Sequence, residues 1–262
     1  FVRGTNAGDG DGIDSLPEDP GYVGPGGSLT FHGTHVAGTV AASGNNGIGV
    51  TGVGWSARIM PVRVLGTDGS GTLADIVQGI RYAARLANDS GQLPAARADV
   101  INLSLGALRS CSQAESDVIA AARAAGVVVV AAAGNDATSL PASPASCAGV
   151  IGVAAVNSVN SRAYYSNYGS WVRVAAPGGD SSDRDGDGFP DAVFSTHAAL
   201  QSGSIVNTYD FLIGTSMAAP HVSGVIALMK AINPALTPAA ADSLLASGLM
   251  TRDIGFPGPD EL

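Results

Sequence analysis

A continuous apolar run at residues 127–133, Val-Val-Val-Val-Ala-Ala-Ala, constrains the fold more than any other stretch of this sequence. Such a run without a charge is typical of a parallel β-strand that is buried on both faces. Further apolar runs predict strands at residues 58–65, 100–105, 150–156 and 171–176. Helical patterns occupy residues 72–86, 114–125, 216–232 and 237–246. Repeated strand–helix–strand units predict an α/β fold, a parallel β-sheet flanked by helices on both faces.

The length and composition favour one compact unit. The chain has 262 residues, which is enough for one large α/β domain with a well-buried core. Aromatic residues make up only 5% of the chain and glycine occurs 36 times, so the core must consist of closely packed small side chains. No linker or internal repeat divides the sequence, and we therefore predict a single domain over residues 1–262.

The charge of the chain excludes some classes of partner. Its formal net charge is −9, and binding to nucleic acid requires clustered lysine and arginine instead. No apolar run reaches the roughly 18 residues that a membrane-spanning helix needs. The acidic surface is compatible with cation binding. The two cysteines, Cys111 and Cys147, suit either a disulfide in an exported protein or two free buried thiols.

Three polar residues lie at positions where α/β folds commonly carry catalytic groups. Ser216 opens a predicted helix, where a serine is either an ordinary N-cap or a nucleophile beside free backbone N–H groups. Asn135 follows the buried run at 127–133, as a turn residue or as a donor to an oxyanion. His32 begins another helical segment. His35 lies three residues later, but the spacing and neighbours differ from those of zinc-binding helices, so we discount a metal there.

The sequences around these positions resemble the motifs of one enzyme family. His-Gly-Thr-His-Val-Ala-Gly-Thr starts at His32, Ala-Ala-Gly-Asn ends at Asn135, and Gly-Thr-Ser-Met-Ala-Ala-Pro-His-Val surrounds Ser216. In content and order they resemble the subtilases, the subtilisin-like serine peptidases. The resemblance implies that His32 is the general base, Ser216 the nucleophile and Asn135 the oxyanion donor. It also implies a substrate-binding set: Ser104, Leu105, Gly106, Gly134, Gly214 and Thr215.

The same resemblance extends to biology and to two further motif residues. It implies a secreted endopeptidase, most like bacterial members, that acts on proteins or peptides. We expect a monomer, without nucleic acid or membrane partners. The resemblance also implies that oxidation of Met217 would inactivate the enzyme. His35 and His221 also belong to the motifs, and we interpret both as packing and hydrogen-bonding residues.

One member of the family's catalytic set is not recognisable. Subtilases place an aspartate in an Asp-Thr-Gly or Asp-Ser-Gly stretch before the histidine, and no such stretch occurs between Phe1 and His32. The acidic residues in that interval lie in glycine-rich loop sequence, and we assign none of them as the triad acid: Asp9, Asp11, Asp14 and Asp19. We interpret the sequence as a catalytic domain truncated at both ends. The alternative is a catalytically impaired, calcium-binding homologue.

An acidic loop predicts a structural calcium site. Asp183, Asp185, Asp187 and Asp191 fill positions one, three, five and nine of a calcium-loop pattern, although Phe194 stands where an EF-hand has its glutamate. Aspartate supplies hard oxygen ligands, and so many close carboxylates repel one another without a cation. The alternative is a solvated acidic loop. Asp9, Asp11 and Asp14 form a second, weaker candidate cluster. The resemblance supports calcium as a stabilising ion.

A lipase or esterase is the competing enzyme class. Gly214-Thr215-Ser216-Met217-Ala218 approximates the nucleophile elbow of α/β-hydrolases. Those enzymes place the catalytic histidine after the serine. The only later histidine in the motif helix is His221, which lies five residues along the same helix and cannot reach back to Ser216. The order of the motifs therefore favours the peptidase.

Overall fold

The computed structural model describes residues 1–3, 7, 13, 15–23, 29–184 and 186–251. In chain order the elements are β1 (Tyr22–Val23), β2 (Leu29–Thr30), α1 (His32–Ala41), α2 (Leu73–Ala83), β3 (Val100–Leu103), β4 (Ala107–Leu108), α3 (Gln113–Ala124), β5 (Val128–Ala132), β6 (Ala142–Ser143), β7 (Val150–Val156), β8 (Val172–Pro177), β9 (Val193–Gln201), β10 (Ser204–Leu212), α4 (Thr215–Ile232) and α5 (Pro238–Ala246).

A four-stranded parallel sheet forms the centre of the molecule, with the strand order β3-β5-β7-β8. On β5, Val128 and Val130 belong to the hydrophobic core beneath α4 and α5. Val129 and Ala131 point the other way, into the core beneath α2 and α3. Each face of the sheet is therefore covered by helices, which confirms the predicted α/β architecture.

Local capping explains where the flanking helices begin. The Thr72 side chain accepts a hydrogen bond from the Asp75 amide and starts α2. Ser112 and Glu115 form a reciprocal capping box at α3, and Thr237 with Pro238 starts α5. These residues satisfy backbone N–H groups that the first helical turn leaves unpaired. None of the helices in the described ranges is both long and apolar enough to cross a membrane.

The strand predicted at residues 58–65 is wrong, because the structure has no β-strand there. Met60 and Val62 do pack against the core beneath α2 and α3. The apolar pattern therefore reports burial correctly, but the segment forms no ladder with β3 or with any other described strand. Apolar periodicity shows which side chains are buried, whereas a strand also needs a neighbour with which to pair.

A long antiparallel hairpin, β9–β10, was not predicted from the sequence. Its two strands are joined at Ser202 and Gly203, which have φ values of 50° and 81°. Positive φ at both central residues is typical of a tight hairpin turn. The hairpin packs against α1, the helix that begins at His32. It therefore contacts the element that presents the predicted general base.

A disulfide and an ionic network join the segments that follow β3 and β5. Cys111 and Cys147 are bonded to each other, which decides between the two alternatives left open by the sequence. Nearby, Glu115 accepts hydrogen bonds from Arg109, Ser112 and Ser143. Burial alone would raise the pKa of Glu115, but these hydrogen bonds outweigh it and lower the pKa to about 2. Glu115 is therefore ionised across the physiological pH range.

Candidate active site

The amino end of α4 presents Ser216 beside the substrate-binding segment predicted at residues 104–106. The hydroxyl of Ser104 donates a hydrogen bond of 2.7 Å to the Ser216 carbonyl, and the Ser216 hydroxyl lies 3.5 Å from the Ser104 carbonyl. Gly214 precedes this turn with φ 148°, a conformation that other residues rarely adopt. The half-buried Ser216 thus stands at a helix N-terminus, where Thr215, Met217 and Ala218 use their N–H groups within the protein and the Ser216 N–H is left for a developing anion.

Asn135 is fixed in one orientation by Thr215. The Asn135 side-chain oxygen accepts hydrogen bonds from both the amide and the hydroxyl of Thr215, each 2.9 Å long. The Thr215 hydroxyl in turn accepts from the Gly134 amide at 3.0 Å. Since the oxygen is occupied, the exposed Asn135 presents its amide nitrogen as the remaining hydrogen-bond donor.

The side chain of Thr215 contacts other protein residues, whereas the sequence predicted that it contacts substrate. Its side chain is fully buried, behind Asn135. Its hydrogen bonds go to Asn135 and Gly134, so it acts through the predicted oxyanion donor. The sequence offered no signal for this role, because the contact joins residues 80 positions apart.

The predicted substrate segment runs along the carboxyl end of β3. Ser104 and Leu105 are half-buried and Gly106 is exposed. A Cβ atom on Gly106 would lie 2.8 Å from the Ser143 carbonyl, so only glycine fits beside β6. The pairing of β4 with β6 holds this segment next to the loop that follows Asn135. Two neighbouring strands therefore bring residues 104–106 and 134–135 to the same edge of the sheet.

His32 is the first residue of α1, which packs against α4. Burial lowers the pKa of His32 below its usual value of 6.5, and the negative charge of Asp19 opposes that effect in part. The imidazole is therefore neutral at neutral pH, which is the form that a general base requires. The structure shows no hydrogen bond between His32 and Ser216, both of which lie in the described part of the chain. Catalytic hydrogen bonds often shorten only when substrate binds.

Asp19 caps the helix that begins at His32. One of its oxygens accepts hydrogen bonds from the Thr34 amide at 3.0 Å and the Thr34 hydroxyl at 2.8 Å. The other oxygen accepts from the Gly21 amide at 3.0 Å. A carboxylate at a helix N-terminus satisfies unpaired N–H groups and favours the positive end of the helix dipole. The other three aspartates that were left unassigned, Asp9, Asp11 and Asp14, lie outside the described residues.

Replacing Asp19 with Asn should shift the pH dependence of His32. The substitution keeps a side-chain oxygen for Thr34 but removes the negative charge that favours protonated His32. The pKa of His32 should therefore fall further, and the acid limb of kcat/KM should move to lower pH. Rates of Ser216 modification measured against pH would detect the shift. Asp89→Asn is a matched control, and an acid limb that moved equally in both variants would contradict the assignment.

The two other motif histidines have structural contacts. The Nε2 atom of His35 lies within hydrogen-bond distance of the Val193 and Asp210 carbonyls, and burial lowers its pKa to about 4. The Nδ1 atom of His221 donates to the Met217 carbonyl at 2.8 Å. Met217 itself is 1% exposed. These contacts agree with packing and hydrogen bonding as the roles of both histidines.

The described aspartates of the predicted calcium loop, Asp183, Asp187 and Asp191, do not form a cluster of three carboxylates. Asp183 accepts hydrogen bonds from the Gly186 and Gly188 amides, and Asp191 accepts from Ser158. Asp185 lies outside the described residues. Oxygen donors suit calcium chemically, but no three carboxylate oxygens of the loop's described residues lie within 4.8 Å of one another. The one such group found in the described chain, Cys111, Glu115 and Cys147, contains both sulfurs of the disulfide.

Sequence comparison agrees with this arrangement over nearly the whole chain. The profile of the subtilase family matches residues 11–256. The chain belongs to the subtilase family. Among curated relatives, the extracellular protease of Xanthomonas campestris is 44% identical over 258 residues, covering 92% of this chain and 41% of that protein. The extracellular basic protease of Dichelobacter nodosus is 37% identical over 277 residues, covering 95% and 43%. This subtilase thus spans about two fifths of the length of these two relatives.

Solved structures give the same result for the fold. A protease from Pseudoalteromonas arctica superimposes with a TM-score of 0.86 at 44% identity, covering 96% of this subtilase and 76% of that chain. A cold-adapted subtilisin-like serine proteinase gives a TM-score of 0.66 at 32% identity, covering 94% and 73%. The fold is therefore subtilisin-like.

Proposed function

We propose that this subtilase is a secreted serine endopeptidase that cleaves peptide bonds through an acyl-enzyme intermediate. One observation carries the proposal: Thr215 holds the oxygen of Asn135, which leaves the amide nitrogen as a donor beside Ser216. A nucleophile next to an oriented amide and a helix N-terminus suits a reaction in which a carbonyl oxygen gains negative charge. The family and the extracellular proteases among its relatives support the same reaction.

The chemistry assigns one role to each residue. Neutral His32 accepts the hydroxyl proton of Ser216 as the oxygen attacks the substrate carbonyl. The carbonyl π-electrons move onto its oxygen, and the Asn135 amide and the Ser216 backbone N–H donate hydrogen bonds to that oxyanion. Protonated His32 then gives its proton to the leaving amine as the C–N bond breaks. Water attacks the acyl-enzyme in the same way, releases the acid and restores Ser216.

Residues 104–106 bind the substrate backbone in this proposal. The segment extends β3 at the sheet edge next to Ser216, where an extended peptide can add as a further strand. Gly214 lacks a side chain beside the Asn135 amide nitrogen and the Ser216 N–H, which leaves room for the scissile bond, whereas a Cβ atom on Gly134 would meet Asn167. This arrangement suits proteins and peptides as substrates. Secretion is supported by the extracellular relatives and by the disulfide, and we propose a monomer as the working form.

A fluorescent fluorophosphonate tests the proposal directly. The reagent phosphonylates a serine only when a base and an oxyanion site are assembled around it. We expect covalent label on Ser216 and no label on a Ser216→Ala chain. Circular dichroism of the same samples shows whether each is folded. A folded chain that stays unlabelled over the whole pH range would contradict the peptidase and favour a catalytically impaired homologue.

Calcium at the acidic loop stays a prediction and takes no part in the proposed chemistry. If Asp183, Asp185, Asp187 and Asp191 bind the ion in solution, its removal should lower stability, since an ion that binds only the folded state stabilises it. We expect the Tm in EGTA to fall by ~5–10 °C relative to saturating calcium, equivalent to ~2–3 kcal/mol. The Asp183→Asn/Asp187→Asn double variant should lose most of this difference. An equal calcium effect in the variant would place the ion elsewhere.

A further inference from the structure

We propose that His197 on β9 is a positioning residue for the general base, because its neutral ring accepts the backbone hydrogen bond of Phe31, the residue before His32. The proposal rests on the proposed peptidase function. His197 belongs to none of the sequence motifs. It lies in the hairpin that the sequence did not predict, and it is 6% exposed.

The contact holds both the backbone and the side chain of Phe31. The Phe31 amide donates to Nε2 of His197 at 3.1 Å. The two rings also meet edge to face, with centroids 5.6 Å apart and an interplanar angle of 89°. Phe31 is the N-cap residue of α1 and is 1% exposed. A buried backbone N–H needs an acceptor, and His197 supplies it at the residue that leads into His32.

Two neighbouring residues of β9 hold the same helix turn through groups that do not titrate. The Thr196 hydroxyl donates to the Thr34 carbonyl at 2.9 Å, and the Ser195 hydroxyl donates to the His35 carbonyl at 2.8 Å. A Cβ atom on Gly38 would overlap the side chains of both, so helix and strand are in close contact. Within this interface, His197 differs from its two neighbours because its ability to accept a hydrogen bond depends on protonation.

Protonation of His197 would abolish its contact with Phe31. Because Nε2 accepts a hydrogen bond, the ring hydrogen is on Nδ1, which lies 4.0 Å from the Asp210 carboxylate. A second proton would have to bind at Nε2, where the Phe31 N–H already points. The ring would then also place positive charge at the positive end of the α1 dipole.

Charged groups from every side bear on this step. Asp19 before α1 favours protonation of His32, and the Asp210 carboxylate on β10 lies 4.0 Å from Nδ1 of His197. His35 on α1 is electrostatically coupled to His197 and to His32. Since burial holds the pKa of His35 at about 4, His35 remains neutral above about pH 5. Protonation of His35 therefore does not contribute to the pH dependence above that value.

Two substitutions separate the acceptor from the proton. His197→Gln keeps a side-chain oxygen that can accept from Phe31 but cannot be protonated in this range. His197→Leu removes the acceptor and leaves a side chain of similar size. Thr196→Val is the matched control, since it removes a hairpin–helix hydrogen bond without a titratable group.

The rate of fluorophosphonate labelling of Ser216 from pH 5 to 8 gives the functional result. A protonated His197 cannot accept from Phe31, so wild type should lose labelling more steeply than His197→Gln as the pH falls. His197→Gln should give a shallower slope with a neutral-pH rate close to wild type. His197→Leu should label ~10–100-fold more slowly at every pH, since small misplacements of a catalytic group have effects of that size. Thr196→Val should keep the wild-type slope.

A structural readout makes the result independent of activity. In the chain labelled with ¹⁵N-phenylalanine, the Phe31 amide signal should move further with pH in wild type than in His197→Gln, where only the adjacent His32 can be protonated. The Phe31 amide hydrogen should also exchange with solvent faster in His197→Leu than in wild type. A Phe31 signal that does not follow the protonation of His197, or equal labelling slopes in wild type and His197→Gln, would overturn the proposal. A pH-dependent Phe31 signal in a chain that never labels would instead contradict the peptidase function.

Discussion

Replacing Ser216 with Ala should lower the rate of peptide hydrolysis by ~10⁶-fold if His32 works with a charged partner. In subtilisin, a member of the same family, loss of the nucleophile costs ~2 × 10⁶ in kcat, while loss of the acid alone costs ~3 × 10⁴. Triad members act as a unit, so the effects do not add. A chain that already works without the acid should therefore lose only ~10²-fold when Ser216 is removed.

The size of the Ser216→Ala effect thus reports on the third member of the triad. Steady-state hydrolysis of a chromogenic peptide by both chains gives the ratio, and thermal unfolding shows that both are folded. Ser104→Ala is a useful companion variant, because it removes a hydrogen bond to the Ser216 backbone and leaves the nucleophile in place. If Ser216→Ala hydrolysed the peptide as fast as the original chain, Ser216 would not be the nucleophile.

Replacing Asn135 with Leu should lower kcat by ~10²–10³-fold and leave KM nearly unchanged. The loss of an oxyanion donor in subtilisin has this size, since the hydrogen bond forms to charge that exists only in the transition state. The substitution also leaves Thr215 without the acceptor for its amide and hydroxyl, so a modest fall in stability should accompany it.

Separate measurement of kcat and KM distinguishes these effects. Asn207→Leu, at an exposed position of β10, is the control for adding an apolar side chain. Thr215→Val should give a smaller loss in kcat than Asn135→Leu, because the amide of residue 215 still holds the Asn135 oxygen. A large rise in KM with kcat unchanged would mean that Asn135 binds the ground-state substrate instead.

Elements with strong local signals could be predicted from the sequence. The apolar run at residues 127–133 became β5, and the helix predicted at residues 216–232 became α4 (Thr215–Ile232). The predicted strand at residues 150–156 has the same bounds as β7. Burial on two faces leaves a pattern within one segment, so no long-range contact is needed to recognise it.

Features that depend on distant partners could not be predicted in this way. The segment at residues 58–65 has the apolar pattern of a strand but forms no ladder in the described chain. Asp19 acts through Thr34 and His197 through Phe31, a contact across 166 positions. Neither residue belongs to a motif, because each acts on the backbone of α1 rather than on substrate. Residues that support a site leave weaker local signals than residues that perform its chemistry.

The disulfide links the stability of this subtilase to its redox surroundings. Cys111 and Cys147 are 36 positions apart, and the chain between them contains β5 and Asn135. Closing a loop of that length restricts the unfolded chain and stabilises the fold by about 4 kcal/mol on the chain-entropy estimate. A newly made chain in a reducing compartment lacks that contribution. The proposed peptidase should therefore unfold more readily before the disulfide forms, and it should reach its full stability only in an oxidising compartment.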